Sequence, residues 1–211
     1  MDAPRLDAVL QDRLAGRRLL DHPFYRRWSR GEVSVAELRA YAAQYRHFEA
    51  ALPVHLRAVA GAAGTAALRE QALRNLDDEA THLQLFDDFA AALGDAQPAE
   101  PSPAMQRLLD VYAAARSRSA EEGLAALLAY EAQSPDVAAS KAQGLRDHGI
   151  LDGEDALRFW DLHAALDVEH AQWSLGALQE SGADARAFGD AVELAAAAWW
   201  SFLDEREALR A

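Results

Sequence analysis

The sequence predicts an all-α bundle of about seven to eight helices, and three observations carry that expectation. Apolar residues fill 51% of the 211 positions, much of that share alanine and leucine, which favour helix over sheet. Helix start and stop signals recur along the chain. No stretch alternates apolar and polar residues convincingly enough to read as a strand. A chain of this length is expected to form one domain over residues 1–211, large enough to bury a sizeable core.

The elements follow in order. A first helix is expected from about Leu6 to Asp21, stopping where Pro23 follows His22. Residues Pro23 to Arg30 read as a short turn carrying Phe24, Tyr25 and Trp28. Ser34 then caps a long helix, with Glu37 three residues on completing a capping box. That helix runs to about Ala60 with a bend expected at Pro53. The next spans about Thr65 to Leu93 and stops at Gly94. Asp95 to Pro103, with three prolines, is the clearest loop and joins packed helices. Helices follow at about 104–115, 119–147, 154–180 and 184–208, with Gly149 and Gly153 punctuating one gap.

Charge and composition exclude several classes of function. The formal net charge of -13 leaves no clustered Lys and Arg to bind phosphates, so no nucleic-acid partner is expected. The absence of cysteine rules out disulfides, thiolate zinc, iron–sulfur clusters and a cysteine nucleophile. His, Asp and Glu remain as the strong metal ligands. Met1-Asp-Ala-Pro-Arg lacks the basic and apolar regions of a signal peptide, and no apolar run reaches the length of a membrane span. A cytoplasmic protein with no membrane partner is expected.

The most informative stretch is His163-Ala-Ala-Leu-Asp167-Val-Glu-His170. At about 100° per residue, its two imidazoles and carboxylate fall within roughly 60° of arc on one helix face. Glu79 and His82, three residues apart, share a face of another helix. Glu131 sits beside Leu127, Leu128 and Ala132, where a charged side chain needs a reason. Each element has a bland reading alone, since Glu-x-x-His is common on solvated helices and a lone Glu often marks the edge of a face. Three such elements on separate helices of one bundle favour metal. Mixed carboxylate–imidazole ligation suits two first-row ions, iron or manganese, better than calcium or structural zinc. Two ferrous ions would bring four positive charges against three carboxylates. His22, His47, His55 and His148 lack this spacing and read as surface or capping residues. Glu49 reads as a surface residue, or else as an additional ligand or a contact for a substrate amine. Trp199-Trp200 would serve a homodimer contact if exposed and the core if buried.

The chain resembles the heme-oxygenase-like helical superfamily of the TenA thiaminases and PqqC cofactor oxidases, and within it the CADD-like diiron oxidases. The resemblance covers most of the chain. It includes His22-Pro-Phe-Tyr-Arg-Arg-Trp-Ser-Arg-Gly, Leu38-Arg-Ala-Tyr-Ala-Ala-Gln-Tyr45, Asn75-Leu-Asp-Asp-Glu, the helix end from Phe89 to Gly94, Tyr130-Glu-Ala-Gln-Ser-Pro through Lys141 to Leu145, the 163–170 run and Phe202-Leu-Asp204. It implies a diiron site held by Glu79, His82, Glu131, His163, Asp167 and His170. One departure stands out: CADD-like members usually carry Glu-x6-His where this chain has Glu-x2-His. The four missing residues amount to about one helical turn, so both side chains can still face one way. The resemblance further implies O2-dependent synthesis of para-aminobenzoate for folate, with Tyr25 as ring source and Lys141 as nitrogen donor. Tyr41 and Tyr45 would face the same site. Three alternatives stay open: a diiron oxygenase acting on an external amino acid or fatty acid, a metal-free enzyme of the TenA or PqqC type, and a helical interaction protein without chemistry.

Overall fold

A computed structural model describes residues 5–79, 81–94 and 99–210. Ten α-helices and one 3-10 turn make up the described residues, with no strand among them. The expected loop at Asp95 to Pro98 and the N-terminal residues Met1 to Pro4 lie outside the described residues.

Helix α1 (Leu6–Leu14) buries Leu6, Leu10 and Leu14, one residue per turn. It ends about two turns earlier than expected. The chain continues through Gly16 into a 3-10 turn at Leu19–Asp21, which is pinned by the Leu19 amide donating to the Gln133 side chain at 2.8 Å. The segment read as a turn is helix α2 (Pro23–Ser29). Pro23 presets the first helical position, and His22 Nδ1 accepts from the Phe24 amide at 3.1 Å. Burial of Phe24, Tyr25 and Trp28 then holds this short helix in place.

Helix α3 (Val35–Ala62) begins with the expected capping box and runs unbroken through Pro53. Its apolar stripe carries Tyr41, Tyr45 and Phe48 into the core. The helix expected over 65–93 is two, α4 (Ala66–Glu79) and α5 (His82–Ala92). Gln44 on α3 hydrogen-bonds the Glu100 carbonyl at 3.0 Å and the Ser102 amide at 2.7 Å, strapping down the approach to α6 (Pro103–Arg118). The helix expected over 119–147 also divides, into α7 (Ala120–Glu131) and α8 (Ser134–Asp147), because Pro135 in the first turn of α8 cannot donate back across the break. Helices α9 (Glu154–Glu180) and α10 (Ala185–Ala208) complete the chain.

Almost all of α7 is buried, as its Ala- and Leu-rich surface on every side requires. Helices α3, α6, α9 and α10 pack around it. A Cβ on Gly123 would come within 2.7 Å of Val59, so that glycine sets how closely α7 approaches α3. This places Glu131, at the end of α7, against α4 and α9 near the middle of the bundle. No helix is long and apolar enough to cross a membrane among the described residues.

Candidate metal centre

All six acidic and imidazole groups singled out from the sequence are buried, none more than 8% exposed. On α9, His163, Asp167 and His170 point inward, and Ser174 extends the same stripe by one more turn. Glu79 closes α4 and His82 opens α5, so both flank the break between them. His82 Nδ1 lies 2.9 Å from Glu79 Oε2, and the His82 and His163 rings stand 4.5 Å apart. Glu79, His82 and His163 each offer a ligand atom within 4.8 Å of the other two, a preformed three-donor set.

Glu131 arrives from α7 on the other side. Asn75 donates to its Oε1 at 3.0 Å, and Ser174 Oγ lies 3.5 Å from Oε2. Burial and the nearby Asp167 push its pKa up to about 8. Burial lowers the pKa of His163, which engages the Phe159 carbonyl through Nδ1 at 2.8 Å. Burial alone would lower His170 too, but Asp167, Glu131 and Asp78 around it raise its pKa to about 9. Metal-free, Glu131 and His170 hold protons that an ion would replace. Three carboxylates and three imidazoles with buried lone pairs and no basic side chain among them fit iron. A cleft of about 340 Å³ between α1, α8 and α9 reaches Glu131 and Asp167 from the surface.

Next to this centre lies a sealed aromatic chamber. Lys141, the one lysine in the chain, is 1% exposed. Its Nζ donates to Tyr41 Oη at 2.8 Å and sits 4.0 Å from the Trp160 ring centre and 4.7 Å from that of Tyr25. Tyr41 Oη also hydrogen-bonds Tyr25 Oη at 3.0 Å, so one hydroxyl joins the two residues. The ring faces favour an ammonium, but removal from water outweighs them and holds the Lys141 pKa well below its ordinary value. Burial raises the Tyr25, Tyr41 and Tyr45 pKa values. Trp160 on the chamber wall is followed one turn later by His163, and the Phe159 ring lies tilted against that imidazole with centroids 4.2 Å apart, so α9 carries both sites.

Several sequence expectations change. Glu49 is 2% exposed, not a surface residue; it lies one turn after Tyr45 on the inward face of α3, and burial with Glu79 nearby raises its pKa well above the carboxylate range. His55 is buried and hydrogen-bonds the Gly123 carbonyl at 2.9 Å. His22 caps α2 as expected but is fully buried. Trp199 belongs to the core, whereas Trp200 is half-buried and packs edge-on against His22. Asn75, Asp78 and Ser174 were not singled out individually. Their signal was present, since Asn75 and Ser174 each sit one turn from a metal-type residue on the same helix face.

The profile of the family described as iron-containing redox enzymes matches residues 39–202, which hold all six metal-type residues. The chain belongs to that family. Across its length it is 33% identical to a protein of Nitrosomonas europaea named 4-aminobenzoate synthase, the alignment covering 95% of this chain and 88% of the relative. A protein of the same name from Chlamydia muridarum is 34% identical over 80% of this chain and 73% of its own. A TenA homologue from Pseudomonas syringae has the same fold, with a TM-score of 0.86 at 16% identity over 98% of this chain and 94% of that one. The heme-oxygenase-like resemblance read from the sequence is therefore borne out, and the protein is an iron-dependent oxidoreductase by family.

Proposed function

We propose that this protein is an O2-dependent 4-aminobenzoate synthase that consumes its own Tyr25 and Lys141. Glu79, His82, Glu131, His163, Asp167 and His170 would hold two iron ions, or manganese in either position, and the whole chain acts as one domain. Bound metal supplies activation of dioxygen and withdrawal of electrons.

The observation that carries the reading is the placement of Lys141, the sole lysine, on a hydroxyl shared with Tyr25. Comparing tyrosine with 4-aminobenzoate defines the work. The ring and one benzylic carbon are kept, the bond to Cα breaks, and the benzylic carbon is oxidised to carboxylate with dioxygen as the electron acceptor; nitrogen replaces the phenol oxygen, which leaves as water, as the Lys141 Cε–Nζ bond breaks. Burial holds the Lys141 pKa well below its ordinary value, so Nζ gives up its proton more readily and frees a lone pair for that exchange. Tyr41 aligns the amine with the Tyr25 phenol and holds the proton between them. Trp28, Trp160 and Tyr45 wall the amine off from water. The names of the relatives from Nitrosomonas and Chlamydia support the same product.

A second reading, oxygenation of an external amino acid or fatty acid, is favoured only by the cleft that reaches Glu131 and Asp167. Anaerobic iron loading followed by air and a reductant separates the two. Self-consumption yields at most about one 4-aminobenzoate per chain and a polypeptide altered at Tyr25 and Lys141. An unchanged polypeptide that consumes oxygen only with added substrate overturns it.

A further inference from the structure

The two ring nitrogens of His170 are engaged differently. Nε2 lies 2.9 Å from Asp78 Oδ2. Nδ1 is buried, has no hydrogen-bond partner, and faces Asp167 Oδ1 at 3.5 Å. Only one nitrogen of a metal-bound imidazole keeps its proton, and the carboxylate of Asp78, at hydrogen-bond distance, accepts from Nε2–H, so the lone pair offered to an ion is that of Nδ1. The unpartnered nitrogen is thus the one aimed beside Asp167 into the centre.

We propose that Asp78 is a positioning residue that fixes His170 as the Nε2–H tautomer, so that His170 binds metal through Nδ1. This rests on the reading of His170 as a ligand and adds the atom and the residue that selects it. The other end of the same motif works oppositely: His163 spends Nδ1 on the Phe159 carbonyl and presents Nε2. The spacing His-x3-Asp-x2-His sets the shared face but not the nitrogen. That choice comes from whichever acceptor each ring meets, a backbone carbonyl one turn back for His163 and a carboxylate from another helix for His170.

Asp78 precedes Glu79 at the end of α4, so adjacent residues supply a metal-type carboxylate and the clamp on a histidine from α9. Its side chain is 44% exposed, at the rim of the centre. There Arg74, one turn earlier on α4, lies over the Trp173 ring at 5.6 Å, and Trp173 sits 6.4 Å from the His170 ring. Carboxylates that orient metal-bound histidines in this way typically account for about 10- to 100-fold in metal affinity.

The test uses the full-length protein labelled with ¹⁵N-histidine and loaded with zinc, a diamagnetic probe for the same donors. Long-range ¹H–¹⁵N spectra, with His170→Gln to assign the signals, report which nitrogen coordinates. The expected result is coordination at Nδ1 with the proton retained on Nε2. Asp78→Ala should lose the fixed tautomer and weaken binding of the ion at His170 by about 10- to 100-fold, leaving the His163 signals unchanged. Asp78→Glu should restore both. Zinc on Nε2, or an Asp78→Ala protein with unaltered tautomer and affinity, overturns the inference. Zinc that perturbs neither nitrogen of His170 overturns the ligand reading itself, and the inference with it.

Discussion

Replacing Lys141 by methionine should make the protein more stable and abolish its product. The amine is fully buried with one hydrogen bond, to Tyr41, whose hydroxyl keeps Tyr25 as a partner when the amine is gone. Removing a poorly satisfied buried polar group recovers about 1–3 kcal/mol, and methionine fills nearly the same volume. Linkage adds a pH-dependent part. The folded pKa of Lys141 is depressed, so the unfolded chain binds the proton more readily, and wild-type stability falls as pH drops below 10.5. The slope is about 1.4 kcal/mol per pH unit until the folded pKa is reached. The methionine variant lacks that slope. Its advantage should therefore be larger near about pH 7 than near about pH 9, with the tyrosines titrating alike in both proteins. Urea unfolding of the metal-free proteins at the two pH values measures this directly. A variant less stable than wild type, or an advantage that does not change with pH, refutes the reasoning. Either would mean that Lys141 is a charged structural residue paired with Glu49.

Three further perturbations probe the frame around the sites. Gly144→Ala places a Cβ 2.9 Å from the Trp28 carbonyl oxygen and 3.3 Å from the Ser29 Cα, forcing α8 from α2. It should cost about 1–3 kcal/mol in thermal or urea unfolding and reduce product by separating Lys141 from Tyr25. His55, buried with its pKa lowered to about 4 from 6.5, contributes stability that is complete above 6.5 and lost as pH falls through 4. His55→Gln should flatten the acid limb of the stability profile by about 3 kcal/mol, read by urea titration. Glu131, with its pKa raised to about 8, is protonated in the metal-free fold at neutral pH and destabilises it as pH rises from 4.5 through 8. Glu131→Gln should leave metal-free stability at neutral pH unchanged or higher while lowering iron bound per chain, measured by elemental analysis.

The fold class and the six metal-type residues were legible because their signals are local. A 3.6-residue period places His163, Asp167 and His170 together whatever surrounds them, and Glu79 with His82 likewise. The convergence of α4, α5, α7 and α9 on one point is tertiary, and only the odd position of Glu131 among apolar residues hinted at it. Burial of Glu49 and His55 was not legible, because polar residues on an amphipathic helix read as its solvent face. On α3, His55 is covered by α7, and Glu49 faces inward near Glu79. The break after Glu131 was foreshadowed by Pro135, whereas no glycine or proline marks the boundary between α4 and α5. Lys141 drew attention through the resemblance alone. Its aromatic box is assembled from α2, α3, α8 and α9, which no spacing along the chain encodes.

The central claim is that the product's atoms come from the protein. Protein made with ring-¹³C tyrosine and side-chain-¹⁵N lysine, loaded with ferrous iron under nitrogen and then exposed to oxygen, tests it in one mass spectrum of the released small molecules. The account predicts 4-aminobenzoate carrying both labels, with matching losses in the peptides that contain Tyr25 and Lys141. Unlabelled 4-aminobenzoate, or none while oxygen is consumed and both peptides stay intact, would contradict it.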